Sequence, residues 1–268
     1  MPFVGAHCGK SARWVLRGGM STRDHAGSVR ALARKRQPQR GSAKATVSRL
    51  VPTYLLDLWF ERVVKPRMRG EAYLVRYIDD FVLCFQYRSD ALRVQNALCK
   101  RLERFSLTLE PTKTKLVEFG RFAQRYASKH GRKRPETIYC LGFTLYCTRN
   151  LKGNFKVGMR TEKSRLRRSL LSMQDLMRRM RHLPIREQVD NLNSVLRGHY
   201  AYYGIAGNIR ALQKVYRAAE RYWHKMLCSR SRKGYLTWDV FQQIKARLPL
   251  LRPKLYLPYR ALQSLVVL

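Results

Sequence analysis

The spacing of apolar positions changes along the chain, from short strand-like runs before residue 161 to helical repeats after it. Residues 1–52 show little periodicity and are rich in Arg, Ser, Ala and Gly, which predicts a basic arm without stable elements. A helix is predicted over 53–69. It starts after Pro52, carries Leu55, Leu58, Trp59, Val63 and Met68 at helical spacing, and stops at Gly70. Residues 73–77 and 81–85 are rich in aromatic and β-branched side chains, with Ile78, Asp79 and Asp80 between them. That pattern predicts a β-hairpin with two adjacent acids at its tip. Ser89 is a suitable N-cap for a helix bearing Leu92, Gln95, Leu98, Leu102 and Phe105. Strands at 107–109 and 115–119 flank a turn at Pro111, and 121–136 read as a basic loop. Residues 138–146 read as a strand pair containing Gly142, a bulge or close-approach site.

Beyond Thr161 three amphipathic helices follow. Leu166, Leu170, Met173, Met177 and Met180 step by 4, 3, 4 and 3. Val189, Leu192, Leu196, His199 and Tyr203 step by 3, 4, 3 and 4. Leu212, Val215, Ala219, Tyr222 and Met226 repeat the scheme after Asn208, a suitable N-cap, and a shorter helix follows Thr237. The Met and aromatic stripes read as core. The fold class expected is α+β: a small antiparallel sheet with helices over 53–160, then an all-α bundle over 161–268.

Charge changes this picture most. The 268 residues hold 55 Lys+Arg against 17 Asp+Glu, a net +38. So basic a chain repels itself when compact and suits a polyanion, with nucleic acid ahead of an anionic membrane surface. The charge is uneven, because nine carboxylates lie within 53–120 while 161–268 is net +16. At 45% hydrophobic the chain is too apolar to be wholly disordered, and no run approaches the roughly 18 apolar residues of a membrane span. None of the six cysteines forms a C-x-x-C pair, which excludes a zinc ribbon or thioredoxin-like motif. Scattered idle thiols fit a reducing, cytoplasmic setting. The leader shares its composition with transit peptides, but no amphipathic helix is evident there.

Tyr77-Ile78-Asp79-Asp80 is the most informative tetrapeptide. Two carboxylates side by side at a hairpin tip are costly without a counter-charge. Mg²⁺ is the usual one where the substrate is a nucleotide, and two-metal nucleotidyl transfer uses such a cluster. A solvated acidic turn is the competing reading.

The stretch 74–82, Leu-Val-Arg-Tyr-Ile-Asp-Asp-Phe-Val, resembles the catalytic hairpin of group II intron reverse transcriptases, where Ile78 stands at a position usually held by Ala. Further blocks resemble the same family in its order: 55–61 the helix before the hairpin, 107–120 the next palm block, and Tyr139 to Phe143 the primer-grip block. Residues 196–208, 229–231 and 236–238 resemble the thumb and maturase (X) region, so the resemblance covers 54–255. It implies a partial reverse-transcriptase palm followed by an α-helical thumb and maturase domain, an RNA-directed DNA polymerase of a mobile element, and a role in RNA splicing. Asp79 and Asp80 would be the catalytic Mg²⁺ ligands. Tyr77, Lys113, Leu141, Gly142 and Phe143 would serve nucleotide or primer, though each also reads as an ordinary strand, surface or turn residue. Arg165, Arg167, Arg168, Arg178, Arg179, Arg181, Arg197, His199 and Tyr203 would bind RNA, with a solvated face or core packing as the alternative for each. Partners implied are group II intron RNA and a DNA primer or target, with no membrane.

The resemblance is incomplete. The family's first catalytic aspartate, its fingers and its endonuclease domain find no counterpart, and residues 1–52 do not match it. Asp57 reads as a surface carboxylate. A truncated form is therefore expected, complemented by an N-terminal polypeptide or a homodimer, and a non-catalytic RNA-binding splicing factor or an inactive remnant stands as the alternative. Without its neighbours the strand pair near 73–85 would expose an edge.

Overall fold

The computed structural model describes residues 14–22, 53–78, 80–110, 114–231, 234–259 and 261. The chain is mixed α+β and divides into a sheet unit, Val4–Leu141 with Tyr146–Val157, and a helical unit, Gly142–Leu145 with Gly158–Leu268. The expected boundary at 160 falls near 158 instead, and Gly142 with the first three residues of an earlier strand goes with the helices.

In the sheet unit, β1 (Trp14–Thr22), β2 (Ala72–Tyr77), β3 (Asp80–Phe85), β4 (Leu107–Leu109) and β5 (Lys115–Glu118) form one sheet. Its order is β2-β3-β1-β4, with β5 also pairing β1, and all pairs are antiparallel. The hairpin read from the sequence is present as β2 and β3. β1 is a correction, since 1–52 was expected to hold no element. It lies at the sheet's centre, with Val15 and Leu16 buried and Leu16 opposite Leu83 and Leu116. Its apolar run is only three residues long and ends at Arg17-Gly18-Gly19. Neighbouring strands, rather than local preference, make it a strand. β3 is therefore covered on both sides. The rest of the leader, 1–13 and 23–52, lies outside the described residues.

One face of this sheet is apolar. Leu16, Phe81, Leu83 and Phe85 pack with Ala91, Val94, Leu98 and Leu102 of α1 (Arg88–Glu103) and with Leu56, Phe60 and Val64. The last three belong to two π-helical turns, Thr53–Leu58 and Phe60–Val64, which end in a 3-10 turn at Lys65–Arg67. The helix expected there is real, but its buried residues differ from those predicted. A π turn is wider than an α turn. Burial consequently recurs every four or five residues, at Leu55, Leu56, Phe60 and Val64. In α1 the predicted Leu98 and Leu102 are buried, but over the first turns the stripe runs one position earlier, at Ala91 and Val94. Leu92 and Phe105 are exposed, and Tyr87 rather than Ser89 is the N-cap.

The segment expected as a loop at 121–136 contains α2 (Ala123–Lys129). A three-stranded sheet follows, β6 (Ile138–Cys140), β7 (Phe143–Arg149) and β8 (Phe155–Thr161), of which β8 was not anticipated.

The helical unit contains α3 (Lys163–Arg179), α4 (Ile185–Tyr203), α5 (Ile209–Cys228) and α6 (Trp238–Arg247). Its core unites Met173, Met177 and Met180 with Leu192, Leu196, Tyr200, Leu212, Val215, Ala219, Trp223 and Phe241. The Met stripe is core, as read. Tyr200 and Trp223 take inner positions that the pattern had given to their neighbours. Gln188 is 1% exposed and works as a hub. Its Nε2 donates to the carbonyls of Met180, Arg181 and Leu183, and its Oε1 accepts from Trp223 Nε1 at 2.9 Å. At Gly204 a Cβ would lie 2.2 Å from the Tyr200 carbonyl, and this glycine's own carbonyl accepts from Tyr256 and Leu257. The backbone therefore packs closely at Gly204. A Cβ on Gly198, by contrast, would meet nothing within 4 Å. Among the described residues no helix is long and apolar enough to cross a membrane. Cys99, Cys140, Cys147 and Cys228 are free thiols, whereas Cys84 is in a disulfide, against the reading of all six as idle thiols.

Candidate functional site

The hairpin tip is built from a two-residue connection. Tyr77 pairs with Asp80, and Ile78 takes a left-handed φ of 57°. Asn and Gly adopt this conformation readily and β-branched residues do not. The tip is nevertheless braced. Arg76 donates from Nε and Nη2 to the two carboxylate oxygens of Asp57, at 2.8 and 2.6 Å, and from Nη1 to the Ile78 carbonyl at 2.8 Å. Asp57 is thus the helical half of a bidentate bridge to the hairpin, partly exposed but ion-paired rather than the plain surface carboxylate expected. Tyr77 and Ile78 are exposed, 42% and 63%. Asp79 and Lys113 lie outside the described residues.

Asp80 opens β3 and faces Gly19 of β1 on the side opposite Tyr77. Alternation places Arg17, two residues before Gly19, on the same face as Asp80. Cys140 belongs to this neighbourhood as well. Its thiol pKa is raised, first by burial and then by the negative charge of Asp80, while the positive charge of Arg17 opposes the rise. β1 itself, Trp-Val-Leu-Arg-Gly-Gly-Met-Ser-Thr, holds no acid. Among the described residues no three His, Cys, Asp or Glu side chains gather to hold a metal ion. Of the two Mg²⁺ ligands that the resemblance implies, Asp80 belongs to the described residues and Asp79 does not.

The turn between β6 and β7 consists of Leu141 and Gly142, both at positive φ (49° and 74°). This is the geometry of a two-residue hairpin turn of the primed type. Gly142 therefore sits in the turn rather than at a bulge, and the close-approach reading holds. A Cβ there would stand 3.1 Å from the Tyr203 hydroxyl and 3.8 Å from Cγ of Arg165. Next to it, Phe143 stacks on Tyr202 (ring centroids 5.9 Å apart, planes at 15°) and tilts against Tyr203 at 5.3 Å. His199 lies 4.7 Å from the Tyr203 ring. Phe143 is buried, but Tyr202 keeps 55% of its surface exposed. Burial lowers the His199 pKa and raises that of Tyr203, on which Arg165 and Arg168 act in the opposite sense through their positive charge. Burial thus favours the neutral form of the His199 ring, which packs against Tyr203.

The predicted arginines of α3 fall at its two ends. Arg165, Arg167 and Arg168 are exposed near its start, Arg178 and Arg179 are exposed near its end, and Arg181 is half-buried just beyond it. The ends lie about 16 Å apart at the usual helical rise, so they are not one patch. Arg178 is partly committed to Asp175 at 3.4 Å. Cations near the start of a helix oppose its dipole, so Arg165, Arg167 and Arg168 are placed unfavourably unless an anion joins them. Arg197 is exposed on α4.

Compared with known proteins, the chain matches no family model and no curated protein sequence. Sequence reasoning missed β1 and the Asp57–Arg76 bridge, and it read the bundle's positive charge without singling out the row along α5. Of these, only the α5 face left a periodic signal that could have been read.

Proposed function

We propose that this protein is a structured-RNA-binding factor of the group II intron maturase type, holding intron RNA for splicing without polymerising nucleotides. The observation that supports the reading best is the composite surface of the helical unit, where exposed Tyr202 lies on Phe143 and beside Tyr203, with Arg165 and Arg168 acting on the same ring. An exposed aromatic ring suits an unpaired base, and guanidinium groups beside it suit the phosphates. Stacking on aromatics and charge on phosphates are the two means by which proteins hold irregular RNA. The sheet unit favours the non-polymerising form, because the strand beside Asp80 brings Arg17 rather than a carboxylate. In this reading the palm-like sheet is a scaffold.

Binding of the full chain to a group II intron RNA, followed from 50 to 200 mM salt, tests it. Affinity should fall steeply with salt. Tyr202→Ala with Arg165→Gln and Arg168→Gln should weaken binding by about 10–100-fold, given about 1–3 kcal/mol for one stacked base. Salt-independent binding, or binding unaffected by the triple change, would defeat the reading. Mg²⁺-dependent primer extension that Asp80→Asn abolishes would instead make the chain an RNA-directed DNA polymerase.

A further inference from the structure

A second strongly charged surface runs along α5. Arg210, Lys214, Arg217, Arg221 and Lys225 of α5 step by 4, 3, 4 and 4, and all five are exposed. That spacing keeps them on one side of the helix, in a row about 22 Å long. The only acid of α5, Glu220, does not serve them. It is 15% exposed and bonded to Lys245 of α6. None of the five cations joins an ion pair among the described residues. Like charges at i,i+4 repel, so the row is an uncompensated cost in the isolated chain.

We propose that this row docks the backbone of double-stranded RNA; the proposal rests on the RNA-binding reading above. Two observations choose the occupant. First, the opposite side of α5 (Leu212, Val215, Ala219 and Trp223) is fully buried in the core and has no apolar face to offer a bilayer, unlike a helix that lies in a membrane surface. Second, the row offers unpaired bases no platform. Tyr216 and Tyr222 of α5 are only partly exposed and pack against the core, whereas proteins that hold single strands present aromatic faces. A straight line of cations without stacking groups fits the regular phosphate ridge of a duplex. It contacts the backbone and leaves sequence unread. The helical unit then has two RNA surfaces of different kinds, the Tyr202 cluster for unpaired segments and α5 for a helix.

The test uses the full chain and two probes, a 20-base-pair RNA duplex of arbitrary sequence and an unpaired RNA of equal length. The variant is R210Q/K214Q/R217Q/R221Q/K225Q. Removing like-charge repulsion from an exposed face preserves the fold, which circular dichroism checks, and the smaller variant R217Q/R221Q serves if it does not. Duplex affinity should drop at least tenfold. The slope of log affinity against log salt should become shallower by about four, at roughly 0.7–0.9 per phosphate lost. Affinity for the unpaired RNA should change less than twofold. The Tyr202→Ala, Arg165→Gln, Arg168→Gln variant should show the reverse pattern. Unchanged duplex binding with unpaired RNA still bound would overturn the α5 proposal and leave the RNA-binding reading standing. Equal losses on both probes would also overturn it, because the row would then be an unselective polyanion surface. Binding to vesicles containing anionic phosphatidylserine that the same variant abolishes would overturn it in favour of a membrane. If the wild-type chain binds neither RNA, the RNA-binding reading itself fails.

Discussion

Ile78 occupies a backbone conformation that its branched side chain disfavours, at φ 57°, while 63% of its surface is exposed. Little packing would be lost on truncation. Ile78→Gly is therefore expected to stabilise the protein by about 1 kcal/mol through relief of that strain, partly offset by a more flexible unfolded chain. Urea unfolding would show this as a higher midpoint, and a lower one would remove the strain argument. His199 gives a pH-dependent expectation. Burial lowers its pKa in the folded chain below the ordinary value of about 6.5. The stability gained by keeping the ring neutral is complete above that ordinary value. It declines as pH falls through the lower, folded-state pKa, because the unfolded chain then binds the extra proton first. Melting temperatures from pH 7.5 to 5 should fall less in His199→Phe than in the wild type. Parallel curves would show that other groups govern the acid limb.

At the level of elements, what was legible depended on how far each one carries its own pattern. The four long helices α1, α3, α4 and α5, and the hairpin of β2 and β3, were readable because their apolar periods repeat several times. The π-helical segment was readable as a helix but not as a face, since the wider turn moves burial to Leu56, Phe60 and Val64. β1 and β8 were missed because their strand character comes from partners. Of the candidate site residues, Gly142 and Phe143 were named by resemblance, yet their setting against Tyr202 and Tyr203 depends on the fold. Gln188 left no trace in the pattern. Its amide holds three carbonyls at the α3–α4 connection and the Trp223 indole, all from a position 1% exposed. Gln188→Leu should cost about 2–4 kcal/mol by leaving buried partners unpaired. Chemical denaturation would measure it, and a loss below half a kcal/mol would mean that water replaces the amide.

At the scale of the whole molecule, the uneven charge was legible from the start, and the sequence placed the change from sheet to bundle close to where the units divide. What each cation faces was not legible, since only the fold separates the Arg165 and Arg168 surface from the α5 row. The central position of β1 has a further consequence, for the order in which the sheet assembles. Gly18 pairs with Phe81 and Val15 with Val117, across some sixty and one hundred residues of chain. Closing a loop of that length costs about 4 kcal/mol of chain entropy before any contact rewards it. β2 and β3 need only their short turn. The hairpin should consequently form first and present the inner edge of β3, open and apolar, until β1 arrives. Pulse-labelled hydrogen exchange during refolding should protect the amides of the β2–β3 ladder ahead of those that β3 shares with β1. Simultaneous protection would mean that the sheet condenses in a single step. In that interval the half-built sheet is the species most exposed to aggregation, so the yield of folded protein should depend on how quickly the first strand finds its place.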